Sequence, residues 1–298
     1  MQKLERAHSR PRQALPPGAA DCHMHVFGPL ERFRLAAQRS YNVGDAPLAA
    51  HERMKRQVGL ERTVFIQASG YGTDNRAMLA ALAELGPRGR GVAVVEPDAP
   101  KQELERLHAA GVRGMRVNLQ TLPGRYPADR AAVVERFARL IAPLGWHLQL
   151  FCDPTTLAAL EPMLARLPVE TVIDHMGLPD ARAGLDQPGF QAVLRLLGSG
   201  RAWVKVAGAD RITRHTGRLR DAVPFIRALA GTAPDRVVWG SDWPNIGFHA
   251  GAQAHGTDIL PFRELDAGEL LDVLGEAVPD ANLRMRILAR NPERLYGF

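Results

Sequence analysis

Two histidines stand two residues apart in Asp21-Cys22-His23-Met24-His25. Side by side at a strand end, two imidazoles can ligate a metal, or polarise a carbonyl and hold water. Strand side chains alternate faces, so Asp21, His23 and His25 are expected to point one way, with Cys22 and Met24 opposite. The pair gains meaning only if other strand ends bring partners to it. Arg116 and Asn118 lie on one face of the apolar run 112–119. His175 follows the run 171–174, and Asp242 follows Val237-Val238-Trp239. Three histidines and one carboxylate form an acid–base or metal-ligating set. Arginine beside them offers a fork that fits carboxylates, which lysine does less well.

Such residues can meet only if the strands that carry them are neighbours with their C-terminal ends together. Short apolar runs recur at 20–25, 63–67, 91–95, 112–119, 147–152, 171–174, 202–206 and 237–239. Helical patterns separate them, such as Asn75 to Leu85 and Asp129 to Leu144, and two more close the chain at Glu269 to Ala277 and Asn282 to Ala289. Alternating strands and helices imply a parallel sheet. Eight repeats predict a single-domain (β/α)8 TIM barrel over residues 18–298, behind an irregular N-terminal arm at 1–17. No glycine-rich dinucleotide fingerprint follows a strand, which counts against a Rossmann reading. The length of 298 residues suits such a barrel, which commonly takes about 250 residues.

Composition narrows the function. The net charge is +6, but the arginines are scattered and no dense basic run or aromatic stacking module exists. A nucleic-acid partner is therefore not expected; a small anionic substrate is. Two cysteines, Cys22 and Cys152, are too few for a disulfide scaffold, so a reduced, cytoplasmic setting is expected. No apolar run reaches a membrane-spanning length of about 18 residues. The first residues carry Lys3, Arg6, Arg10 and Arg12 without an apolar core, and do not read as a signal peptide. No feature of the sequence sets an oligomeric state.

The order His-x-His, Asp174-His175-Met176-Gly177 and Gly240-Ser241-Asp242-Trp243-Pro244 resembles the amidohydrolase superfamily. Asn291-Pro292-Glu293-Arg294-Leu295-Tyr296 is similar to the C-terminal motif of its second large subgroup. Within it, Asp21 to Pro29, Asp74 to Met78, Gly111 to Asn118 and Gly145-Trp146-His147 resemble the pyrone-dicarboxylate hydrolase family. That resemblance implies hydrolysis of a carboxylated lactone, such as 2-pyrone-4,6-dicarboxylate, in aromatic-compound degradation. It implies no metal. Asp242 becomes the general base on water, and His23, His25 and His175 polarise the lactone carbonyl. Arg116, Arg211 and, as a looser match, Arg125 become carboxylate clamps. Tyr41 and Asn118 join the substrate contacts.

Two departures are visible. Phe151 stands where the family has a tyrosine, and Tyr71 could return a hydroxyl from the opposite side. Strand four carries no lysine or glutamate to bridge two metals, and Phe151-Cys152-Asp153 carries no histidine, so a binuclear site is not expected. Related lactonases use zinc; a single zinc here would rest on His23, His25 and Asp242, with His175 beside them. The competing readings are a zinc-dependent lactonase for a sulfomuconolactone or sugar lactone, and a zinc-dependent decarboxylase. The decarboxylase is disfavoured because the strand-five histidine is missing. A non-catalytic anion-binding barrel is more remote, since it would not need the Asp242 carboxylate beside an anionic ligand.

Overall fold

The computed structural model describes residues 4, 6–121, 126–248 and 258–298. Eight parallel strands follow one another around a single sheet: β1 (Ala20–Met24), β2 (Arg62–Ile66), β3 (Gly89–Ala93), β4 (Val112–Asn118), β5 (His147–Phe151), β6 (Thr171–Ile173), β7 (Ala202–Val206) and β8 (Val237–Trp239). Just beyond the ends of β1 and β8 the ring closes. Met24 bridges Trp243, the His25 N–H donates to the Trp243 carbonyl at 2.8 Å, and the Asp242 N–H donates to the His23 carbonyl at 2.8 Å. The protein is the (β/α)8 barrel that the alternating pattern predicts.

Helices α1 (Leu48–Val58), α2 (Arg76–Leu85), α3 (Lys101–Ala109), α4 (Arg130–Ile141), α5 (Pro154–Leu164) and α6 (Pro188–Gly198) fill the crossovers after β1 to β6. Their start signals are local. Asp129 accepts from the Ala132 N–H at 3.0 Å, and Asp153 accepts from the Thr156 N–H at 2.9 Å. α7 (Ala209–Thr213) and α8 (Val223–Thr232) lie between β7 and β8, and α9 (Ala267–Ala277) follows β8. The last helical stretch runs further than its sequence pattern suggests, through α10 (Ala281–Met285), a π-helical turn at Arg286–Arg290 and α11 (Asn291–Tyr296). The sequence reading omits α7, which is too short to show a helical period.

The core has two layers. One apolar cluster packs between the sheet and the helices. Ala20, Cys22, Val64, Ile66, Val92, Val172, Trp203 and Val238 form a second cluster, and Tyr296 of α11 joins it. Above that cluster the interior turns polar, with Gln149, Asp174, Lys205 and Arg116 all buried.

The expected alternation along β1 fails at one point. Asp21 pairs with Thr63 of β2, yet Met24 pairs with Phe65. β1 thus advances three residues while β2 advances two, which is a bulge. One extra residue swaps faces for everything beyond it. Asp21 therefore points away from His23 and His25, toward the helices. It accepts from the Ser241 N–H at 2.9 Å and the Ser241 hydroxyl at 2.5 Å, and faces His51 Nε2 of α1 at 3.0 Å. Asp21 staples β1 to the residue preceding Asp242.

Removing that buried carboxylate leaves the Ser241 N–H and hydroxyl, and His51 Nε2, without this partner, at roughly 1–3 kcal/mol for a buried polar group left unsatisfied. Asp21→Ala is expected to lower the thermal midpoint by several degrees or more. Circular dichroism melting checks this, and an unchanged midpoint would rule out the staple.

Candidate active site

The C-terminal strand ends surround a cavity of about 700 Å³ whose walls include His25, His175, Asp242, Arg116, Arg211 and Tyr41. The bulge in β1 turns His23 to the barrel axis, and the residues past the strand carry His25 to the rim. Two rim residues are held in the left-handed backbone region, His175 at φ 50° and Asp242 at φ 58°. For residues with a Cβ this conformation costs free energy and persists only where the surroundings impose it. Two glycines make room. A Cβ on Gly240 would sit 2.5 Å from the His23 Cβ, and one on Gly208 would sit 2.9 Å from His175 Nδ1.

One oxygen is the centre of the site. Asp242 Oδ1 lies 3.8 Å from His23 Nε2, 3.9 Å from His25 Nε2 and 3.9 Å from His175 Nε2. It is buried and has no hydrogen-bond partner among the described residues. The other oxygen, Oδ2, accepts from Arg211 Nε at 2.6 Å, with Arg263 Nη2 at 3.5 Å. Burial alone would raise the Asp242 carboxyl, but the guanidinium of Arg211, with Arg263 behind it, holds it well below the usual carboxylate range. Asp242 is therefore ionised at neutral pH.

The sequence treats the three rings alike, whereas the structure gives their nitrogens different partners. His25 Nδ1 lies 2.8 Å from the Ile66 carbonyl oxygen, which can only accept. That nitrogen carries the proton, so a neutral His25 turns a lone pair at Nε2 toward Asp242. His23 Nδ1 lies 3.3 Å from Asp174 Oδ1, within ion-pair distance, although neither atom completes a hydrogen bond. His175 Nδ1 has no hydrogen-bond partner among the described residues and no carboxylate or carbonyl against it, so either tautomer is open to that ring. Desolvation pushes the His25 and His175 rings down to about 4, helped by the charges of Arg116 and Arg211, and pushes His23 well below its ordinary value.

Arg116 lines the cavity, donates from Nε to Asp174 Oδ2 at 3.1 Å, and lies 5.0 Å above the Phe151 ring. Tyr41 lines the cavity, and its hydroxyl accepts from the Gly70 N–H at 3.1 Å. Two sequence candidates are occupied elsewhere. The Tyr71 hydroxyl accepts from the Gly28 N–H at 2.8 Å and its ring stacks on Phe27, so it does not reach the cavity wall or replace the hydroxyl missing at Phe151. Asn118 donates to Ser69 Oγ and Thr121 Oγ1, both at 2.7 Å, and accepts from the Gln120 and Thr121 N–H groups. It shapes the loop after β4. Arg125 lies outside the described residues.

Sequence reasoning misses the groups behind the rim. Asp174 is quoted in a motif but given no role, although Arg116, Gln149 and His23 all face it. Lys205 was detectable: it is a lone charge in the apolar run Ala202-Trp203-Val204-Lys205-Val206, two residues on from inward-facing Trp203. Arg263 gives no sequence signal, since it lies in irregular chain beyond β8; it donates from Nε to Asp210 Oδ2 at 2.5 Å.

His23, His25 and Asp242 also fit a cation. One ligand atom from each lies within 4.8 Å of the others. Catalytic zinc takes three protein ligands at about 2.0–2.2 Å, and its histidines commonly donate their second nitrogen to a carbonyl or carboxylate. His25 on Ile66 and His23 beside Asp174 follow that arrangement. The described residues hold a second such group, His23, Asp174 and His175.

A parallel barrel whose rim gathers three imidazoles, one ionised carboxylate and two arginines defines a barrel hydrolase. The amidohydrolase family model matches residues 20–298, and the chain belongs to that family. A 2-pyrone-4,6-dicarboxylate hydrolase from Comamonas testosteroni is 37% identical, aligned over 97% of this chain and 93% of its own length. A 4-sulfomuconolactone hydrolase from Hydrogenophaga intermedia is 32% identical over 96% of this chain and 91% of its own. A solved apo structure of an Agrobacterium tumefaciens protein superposes with a TM-score of 0.80 at 26% identity, covering 97% of this chain and 98% of that one. Among the described residues no helix is long and apolar enough to cross a membrane.

The depressed rings set a pH dependence of stability. His25 and His175 titrate near 4 and His147 near 3 in the folded protein, against an ordinary 6.5. Between about 4 and 6.5 the unfolded chain binds more protons than the folded one, so stability rises with pH across that window. The melting midpoint at pH 4.5 is expected below that at pH 7. Equal midpoints would mean that these rings protonate without cost inside the fold.

Proposed function

We propose that this chain hydrolyses a carboxylated lactone of the 2-pyrone-4,6-dicarboxylate type, in the degradation of aromatic compounds. The observation that carries the reading is Asp242 Oδ1, ionised, without a hydrogen-bond partner and facing a cavity walled by Arg116 and Arg211. The two curated relatives act, by their names, on lactones bearing carboxylate or sulfonate groups. The substrate's anionic groups pair with Arg116 and Arg211, and Tyr41 contacts it from the loop after β1. Phe151 gives that wall an apolar face.

Two of the three rings divide the work. A water that donates one hydrogen to Asp242 Oδ1 and the other to the His25 lone pair turns its own lone pair to the lactone carbonyl carbon. Asp242 takes the proton as that oxygen attacks. His175, whose tautomer is open, donates from Nε2 to the carbonyl oxygen as negative charge gathers there. Collapse of the tetrahedral adduct breaks the ring C–O bond. The proton held by Asp242 passes to the leaving oxygen, and the product is the ring-opened acid.

A zinc-dependent lactonase is the second reading, favoured by the ligand set of His23, His25 and Asp242. Zinc there would polarise the carbonyl or acidify the water. Charge balance favours the metal-free reading. Arg211 and Arg263 already stand against Asp242, and a divalent cation would add two more positive charges to a buried cluster. A zinc decarboxylase remains disfavoured by Phe151-Cys152-Asp153, which supplies no histidine.

Asp242→Asn is expected to lower kcat on 2-pyrone-4,6-dicarboxylate by about 10²–10⁴-fold, the usual yield of a general base. Ultraviolet loss of the pyrone ring measures it, with a neutral lactone as the control the wild type should hydrolyse poorly. A variant near wild-type rate would remove Asp242 from the chemistry.

Dialysis against a strong chelator should leave turnover within a factor of about two, far less than the loss when a metal-activated water goes missing. Stoichiometric zinc whose removal abolishes activity, and whose return restores it, would promote the zinc lactonase.

A further inference from the structure

Beneath the rim lies a buried chain of polar groups for which the proposed reaction has no use. Its lowest member is Lys205, fully buried, whose ammonium can only donate. It donates to Gln149 Oε1 at 2.7 Å and to the Cys22 carbonyl at 2.8 Å. This decides which way the Gln149 amide faces: its oxygen toward Lys205, its NH2 toward Asp174. Gln149 Nε2 donates to Asp174 Oδ2 at 3.0 Å, and Arg116 Nε donates to the same oxygen at 3.1 Å. Asp174 thus receives only donors on one oxygen, and its other oxygen stands 3.3 Å from His23 Nδ1. Two lone pairs do not face each other in a buried site when a proton can lie between them.

We propose that Asp174 is a positioning residue that holds His23 as the Nδ1–H tautomer, and that Lys205 enforces this through Gln149. The consequence is at the far nitrogen. His23 Nε2 then turns a lone pair toward the gap beside Asp242 Oδ1, 3.8 Å away, and shares with His25 the role of acceptor for the one water hydrogen that Asp242 does not take. The same carboxylate holds Arg116, so one residue sets both the acceptor geometry at the reacting water and the angle of a substrate clamp. Burial alone would raise the Asp174 carboxyl, but Arg116 and a hydrogen bond from a neutral His23 hold it well below the usual carboxylate range. Desolvation brings Lys205 down to about 8, with Asp174 opposing the shift.

Asp174→Asn tests this with little change of shape. Its oxygen goes to the donors Arg116 and Gln149, which puts its NH2 against His23 Nδ1 and forces the Nε2–H tautomer. In nitrogen-15 histidine spectra of the whole protein, the His23 ring, assigned by its loss in His23→Gln, is expected to move from Nδ1–H to Nε2–H. On the dicarboxylated pyrone, kcat should fall about 10²–10⁴-fold with little change in KM, as a wrong-tautomer histidine does elsewhere. Lys205→Met, which frees Gln149 to turn, should lower kcat about 10–100-fold in the same pattern. A wild-type His23 protonated at Nε2 overturns the proposal, as does an Asp174→Asn protein that keeps the wild-type tautomer or the wild-type kcat. If Asp174→Asn does not fold, the wild-type spectrum alone decides. The kinetic arms rest on the lactone-hydrolase reading but the spectrum does not, so failure to turn over any lactone leaves the tautomer assignment standing or falling on its own.

Discussion

A carboxylate shut away from water stays ionised only with cations in contact, and Asp242 meets that condition with Arg211 at 2.6 Å and Arg263 at 3.5 Å. Those arginines need acids in turn. Arg263 takes Asp210, and Asp210 also supports the charge of Arg211. The rim is thus an alternating set of charges from β8, α7 and the chain beyond β8, each group made tolerable by its neighbours. Asp242 holds its positive φ inside the ring closure, with its N–H on the His23 carbonyl and its carboxylate on Arg211.

Under the rim the same condition recurs one layer down. Asp174 stands between Arg116 and the Lys205–Gln149 pair, and the apolar floor of Val64, Val92, Val172, Trp203 and Val238 keeps water from below. A barrel interior usually holds branched apolar side chains throughout. Here only the lower part does, and the upper part exchanges packing for directed hydrogen bonds. Rigid donors and acceptors in a dry interior hold a reacting group in place without reorganisation during the reaction.

The architecture was legible because the barrel repeats its own signals. β7 and β8 lie at 202–206 and 237–239, as their apolar runs indicate, and the glycines and prolines between units mark the helix ends. The rim was legible because strand ends point where the topology sends them. What escaped was anything that depends on register or on partners. Alternation along β1 fails because one extra residue leaves no trace in a period of two, so Asp21 is assigned to the wrong face. Tyr71 and Asn118 have the right chemistry at the right loops, yet Gly28 and the Thr121 turn use their polar atoms. Arg263 arrives from irregular chain, where no pattern exists to read. The tautomers of His23 and His25 depend on a carboxylate and a backbone carbonyl from other strands, which only three-dimensional neighbours supply.

Tyr296 belongs to the floor rather than to the outer helix layer. Its ring lies 5.3 Å from that of His147 and 5.8 Å from Lys205 Nζ. The last helix therefore reaches under the cylinder as well as along its outside, and its ring completes from below the dry surroundings of Lys205. The mouth of the barrel owes part of its low dielectric to a side chain at the opposite end, which touches no rim residue.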